Sequence, residues 1–165
     1  MGISRRIIRE KVMQALYAYE LSEDPIDKIT KELFEEIKSD IDGYKFANQL
    51  IEKFFNNKDD VDEIIKSYVN NWEFDRLAII DKITLRIAIS ELLFFPDIPP
   101  KVTLNEAIEI VKKYSTEKSG QFVNGILDSI LTKMKEEKKL VKKGRGLIDT
   151  KVSKKAKKWI ITYLD

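Results

Sequence analysis

The spacing of the apolar residues constrains this chain more than any other feature. They recur every three or four positions along its length, the period of an α-helix with one buried face. No run alternates apolar with polar residues as a half-buried strand would. Six Gly and four Pro in 165 residues leave few places to interrupt that rhythm. Ser4 caps a first helix whose apolar face is Ile8, Val12, Ala15, Leu16 and Tyr19. Asp24-Pro25 reads as the cap and first residue of a second helix, with Ile26, Ile29, Leu33 and Ile37 in one stripe. Phe46, Leu50, Ile51, Phe54 and Phe55 mark a third from Ile41 to Phe55, and the polar Asn56-Asn57-Lys58-Asp59 reads as a loop. Val61, Ile64, Ile65, Tyr68 and Val69 make a short fourth.

A long helix is expected from Asp75 to Phe95, through Ile79, Ile80, Ile83, Ile87 and Leu92, stopped by Pro96 and Pro99-Pro100. Thr103-Leu-Asn-Glu106 has the capping-box spacing, which starts the next helix at Leu104 and carries it to near Tyr114. Phe122, Val123, Ile126, Leu127, Ile130 and Leu131 face a core again. Lys143-Gly-Arg-Gly146 reads as a hinge. Beyond it Val152, Ala156, Trp159, Ile160 and Tyr163, with Ser153 as cap, predict a short terminal helix. The expectation is an all-α fold of about seven helices without internal repeat. Residues 1–140 form the helical domain and 141–165 a basic C-terminal extension, read either as carrying a docked helix or as a solvated tail that acts only by its charge.

Composition narrows the chemistry. Cys and His are both absent, which excludes disulfides, Cys or His metal sites, thiol nucleophiles and every mechanism needing an imidazole. No phosphate loop or nucleotide-binding glycine motif is present. With 28 acidic residues on helical surfaces, close carboxylate pairs arise by chance. No catalytic residue, metal or cofactor is therefore expected. No apolar run follows the charged start as in a signal peptide, and none approaches the roughly 20 residues of a membrane span, so a cytoplasmic protein is expected.

The net charge of +2 conceals an asymmetry. Thr132 to Asp165 holds 12 Lys or Arg against 4 Asp or Glu, leaving the preceding 131 residues with 18 against 24. Within that acidic body the start is basic, because Arg5, Arg6, Arg9 and Lys11 face only Glu10. Two basic ends on an acidic body suggest a localised polyanion site. Arg5 and Arg9 fall on one helix face with Arg6 beside them, a pattern that suits phosphate contact and base stacking. A solvated helix start is the alternative the residues leave open, although a cation near a helix N-terminus opposes the helix dipole.

Two blocks resemble the NusB family of transcription antitermination factors. One is Arg5-Arg-Ile-Ile-Arg9 followed by Gln14-Ala-Leu-Tyr17. The other runs from Leu85-Arg-Ile-Ala88 through Glu91-Leu and Asn105-Glu-Ala-Ile-Glu109 to Phe122-Val-Asn-Gly125. The resemblance spans roughly residues 3 to 135 and leaves out the tail. It implies two helical bundles packed across one another. It also implies pairing with NusE, a ribosomal protein of the small subunit, to bind boxA-like single-stranded RNA of ribosomal RNA operon transcripts within an RNA polymerase antitermination complex.

Carried over by position, the resemblance places RNA contacts at Arg5, Arg6, Arg9, Lys118, Ser119, Gln121, Phe122 and Asn124. The family usually has a basic residue where this chain has Gln121. Phe122 is read either as a stacking surface or as core. NusE contacts are implied at Tyr17, Asp75, Asp81, Lys82 and Arg86, an acidic-leaning helix face suited to a basic partner. The alternatives are a structural helical homodimer, since some relatives dimerise over the RNA surface, and the NusB-like RNA-binding domain of a ribosomal RNA methyltransferase.

Overall fold

A computed structural model describes residues 2–148. Among these residues there are seven α-helices, two short 3-10 turns and no strand, as the apolar period predicts. The expected terminal helix around Trp159 lies outside the described residues. The chain divides into two compact units, Met1–Asn56 and the part from Asn57 onward.

In the first unit, α1 (Arg5–Leu21) begins as expected, with the Ser4 hydroxyl accepting from the Arg6 N–H at 3.2 Å. Ile8, Val12, Met13, Ala15 and Leu16 are buried, while Tyr19 stays at the surface with its ring edge-on to Phe55, 5.0 Å between centroids. The second helix, α2 (Ile26–Leu33), starts one residue later than expected. Pro25 is its N-cap without a side-chain bond, and Asp24 instead pairs with Lys28 at 3.0 Å. The stripe continues into a 3-10 turn, Glu35–Ile37, that buries Phe34 and Ile37 completely or nearly so.

The Asp40 carboxylate opens α3 (Ile41–Lys66) by accepting from the Gly43 N–H at 3.0 Å and also from the Ile3 N–H at 2.7 Å. These two bonds hold its pKa below the ordinary carboxylate value. They also tie the residues ahead of α1 to the start of α3.

No loop forms at Asn56–Asp59, where α3 continues. The reason is register. Phe54, Val61 and Ile65 are all buried and lie seven and four residues apart, so one buried stripe passes beneath the polar run. Conversely, the helix expected from Asp75 to Phe95 is two helices. A capping box between Asn70 and Glu73 opens α4 (Asn71–Arg76). Leu77 and Ala78 then turn extended, and α5 (Ile79–Phe94) follows.

Every residue of α5 from Ile83 to Leu92 is buried. Its next neighbour, α6 (Pro100–Tyr114), starts a turn earlier than Leu104 because Pro100 needs no N–H partner in the first turn. Thr103 therefore caps nothing, and its hydroxyl donates to the buried Glu91 carboxylate at 3.1 Å. The last helix, α7 (Glu117–Glu136), packs on α5 and α6 through Val123, Leu127, Ile130 and Leu131.

The segment read as a hinge is anchored. The Lys142 ammonium donates to the Phe95 and Glu91 carbonyls at 2.9 and 3.2 Å, capping the C-terminus of α5. The Lys143 N–H reaches the Pro96 carbonyl at 3.1 Å. Gly144 sits at φ 56°, in the left-handed region that glycine enters without strain. A Cβ on Gly146 would lie 1.8 Å from the Pro96 oxygen, so no side chain fits there.

Candidate nucleic-acid and partner surfaces

The arginine-rich start divides by burial. Arg5 and Arg6 are exposed, whereas Arg9 is 3% exposed. Arg5 and Arg9 do share a face: their guanidinium carbons lie 4.1 and 5.2 Å from the centroid of the buried Phe46 ring. Phe46 thus holds Arg5 by a cation–π contact at the surface and packs Arg9 inside the unit. Of the three arginines expected to contact RNA, Arg5 and Arg6 are exposed and Arg9 is interior. Lys11 is paired with Glu36 at 2.7 Å, and this contact depresses the Glu36 pKa.

In the other unit, the first turns of α7 present Lys118 and Gln121 to solvent. Asn124 and Phe122 are half-buried, and Phe122 packs against the hydrophobic core. Ser119 departs from expectation. It is buried, its N–H donates to the Thr116 hydroxyl at 3.0 Å, and its own hydroxyl donates to Asp81 at 2.7 Å. Its N–H and hydroxyl both bond within the chain, and they organise the turn. Gly120 lets this turn approach α6 closely, since a Cβ there would meet the Lys112 side chain at 2.9 Å.

The residues expected to meet a protein partner also separate. Tyr17, at 37% exposure, and Asp75 are at the surface. Lys82 is half-buried with its ammonium 4.6 Å from the Phe74 ring centroid. Asp81 and Arg86 are buried, at 5% and 6% exposure, so an exposed face carrying both is not what the chain builds. Arg86 grips Asp62 with two bonds, 2.6 and 2.9 Å, and Asp81 receives Ser119. The physical reason is the length of apolar sequence in α5, which buries the helix on most sides and takes these charges with it.

A surface element that sequence reasoning missed is Trp72 on α4, 57% exposed with the Arg76 guanidinium 5.0 Å from its ring centroid. The Asn70–Glu73 capping spacing was the available signal. Among the described residues no group of three or more acidic side chains is placed to hold a metal ion, and no helix is long and apolar enough to cross a membrane.

Together the fold and these surfaces define, among the described residues, an all-helical protein with exposed basic side chains in the opening turns of α1 and α7. A sequence model of the NusB family matches residues 6–132, and the chain belongs to that family. It is 48% identical to the transcription antitermination protein NusB of Chloroherpeton thalassium, over 93% of this chain and 74% of that protein. It is 43% identical to the protein of the same name from Salinibacter ruber, over 88% and 91%.

Among solved structures it resembles NusB of T. maritima, with TM-score 0.73 and 40% identity over 79% of this chain and 92% of that one. It also resembles a chain in a crystal structure of the antitermination factors NusB and NusE with double-stranded RNA, with TM-score 0.69 and 30% identity over 76% and 94%.

Proposed function

We propose that this chain is a transcription antitermination factor that binds boxA-type RNA of ribosomal RNA operon transcripts together with the ribosomal protein NusE, as part of an RNA polymerase antitermination complex. The observation that carries this reading is the family match over residues 6–132, joined to likeness with a chain solved in complex with NusE and RNA. The surfaces fit it. Exposed Arg5 and Arg6, and separately exposed Lys118 and Gln121, supply donors for phosphate and base edges. Tyr17 in the first unit and, separately, Asp75 and Lys82 in the second are exposed or half-buried and remain for NusE, whereas Asp81 and Arg86 are buried.

The protein works by binding, without catalysis, in the cytoplasm. The test is a titration of boxA-like RNA with and without NusE. Binding should weaken steeply with salt and tighten when NusE is present. No sequence-selective binding with NusE present would overturn the reading.

A further inference from the structure

Asp81 lies between two helix starts. It belongs to the first turn of α5, and its carboxylate reaches the first turn of α7 through Ser119, 38 residues away in sequence. The Ser119 hydroxyl is the hub of this turn. It accepts from the Thr116 hydroxyl at 3.0 Å, lies 3.1 Å from the Ser115 hydroxyl, and donates to Asp81 Oδ2 at 2.7 Å. Thr116 closes the loop by accepting from the Ser119 N–H at 3.0 Å. The second oxygen of the carboxylate, Oδ1, is buried without a hydrogen-bond partner among the described residues. The same turn carries Lys118 at the surface, and Gln121 follows two residues after Ser119.

We infer that Asp81 is a positioning residue for RNA: it fixes the first turn of α7, and with it Lys118 and Gln121, without touching the nucleic acid. This rests on the reading of that turn as an RNA contact. A short, charge-assisted bond to a hydroxyl that is itself held twice restricts the turn to one arrangement. A turn already set before binding forfeits less conformational freedom when RNA arrives.

The experiment compares Ser119→Ala, Asp81→Asn, Asp81→Ala and the double variant Lys118→Ala with Gln121→Ala, using the full chain with NusE and boxA-like RNA. Ser119→Ala should weaken RNA binding about fivefold, the scale of one such hydrogen bond, and leave NusE affinity unchanged. Amide exchange should accelerate selectively over residues 116–121, with little change in α5. Asp81→Asn, which retains an acceptor for Ser119, should keep most of the RNA affinity that Asp81→Ala gives up. A folded Ser119→Ala protein with unchanged RNA affinity overturns the inference if the double variant binds RNA more weakly. If the double variant also binds normally, the underlying reading of this turn as an RNA contact has failed. Equal weakening in Asp81→Asn and Asp81→Ala also overturns the inference.

Discussion

Arg5 with Arg6, and Arg86 with Asp81, look alike as sequence: charged residues near the starts of helices or within them, in a chain that is charged throughout. The first pair stands in solvent at the start of α1, while the second is buried in α5. Each helix is amphipathic to a different degree, and that decides the outcome. The opening turn of α1 projects past its buried stripe, which starts at Ile8. In α5 the buried stretch runs unbroken from Ile83 to Leu92 and leaves no solvated side for Arg86. A charge in a family motif is therefore not evidence of a surface. What its helix buries around it has to be settled first.

The largest effect that tests this contrast is on stability. Arg86→Ala should destabilise the protein by about 3–5 kcal/mol, because it strands the Asp62 carboxylate, whose side chain is only 13% exposed, without its partner. Urea unfolding measures this, and a change below about 1 kcal/mol would mean that the pair behaves like an exposed one. The opposite pattern is expected at the other site. Replacing Arg5 and Arg6 together with Ala should barely move the melting temperature. It should flatten the salt dependence of RNA binding by roughly 0.7 log units per log salt for each phosphate no longer neutralised. An unchanged slope with the fold intact would remove the arginine start from the RNA surface.

The smallest effect concerns Lys142, whose pKa burial lowers to about 8 from 10.5, against the attraction of Glu91 and Asp97. Between those two values the unfolded chain holds a proton that the folded chain has given up. Stability relative to Lys142→Met should therefore rise as pH increases from 8 to 10.5. A flat difference across that window would show an ammonium solvated as in the unfolded chain.

Helix type and core were legible wherever a periodic stripe coincided with a strong cap, as in α1 with Ser4. Boundaries failed where two local signals competed. Thr103 and Glu106 have capping-box spacing, yet Pro100 one turn earlier makes the better start, and Thr103 is used by Glu91. The polar Asn56–Asp59 run looks like a loop only until the buried stripe on both sides of it is counted in one register. The break at Leu77–Ala78 has no Gly or Pro to announce it.

For the candidate site, residue types at helix starts were readable, and Arg5, Arg6, Lys118 and Gln121 are exposed as a binding role requires. Burial of Arg9, Ser119, Asp81 and Arg86 was not readable. It depends on Phe46, Thr116 and Asp62, partners that periodicity does not pair with them.

The strap at residues 142–146 makes sequence distance a poor guide to where this protein tolerates shortening. Lys142 closes a helix end 47 residues before it, and Gly146 is shaped by the oxygen of Pro96. A truncation after Leu140 removes no α-helix among the described residues, yet it uncaps α5 and opens the turn into α6. A truncation after Ile148 keeps both. A shortened variant that is destabilised at the first position and not at the second would trace the loss to the end of α5 and show that residues 149–165 add little to stability.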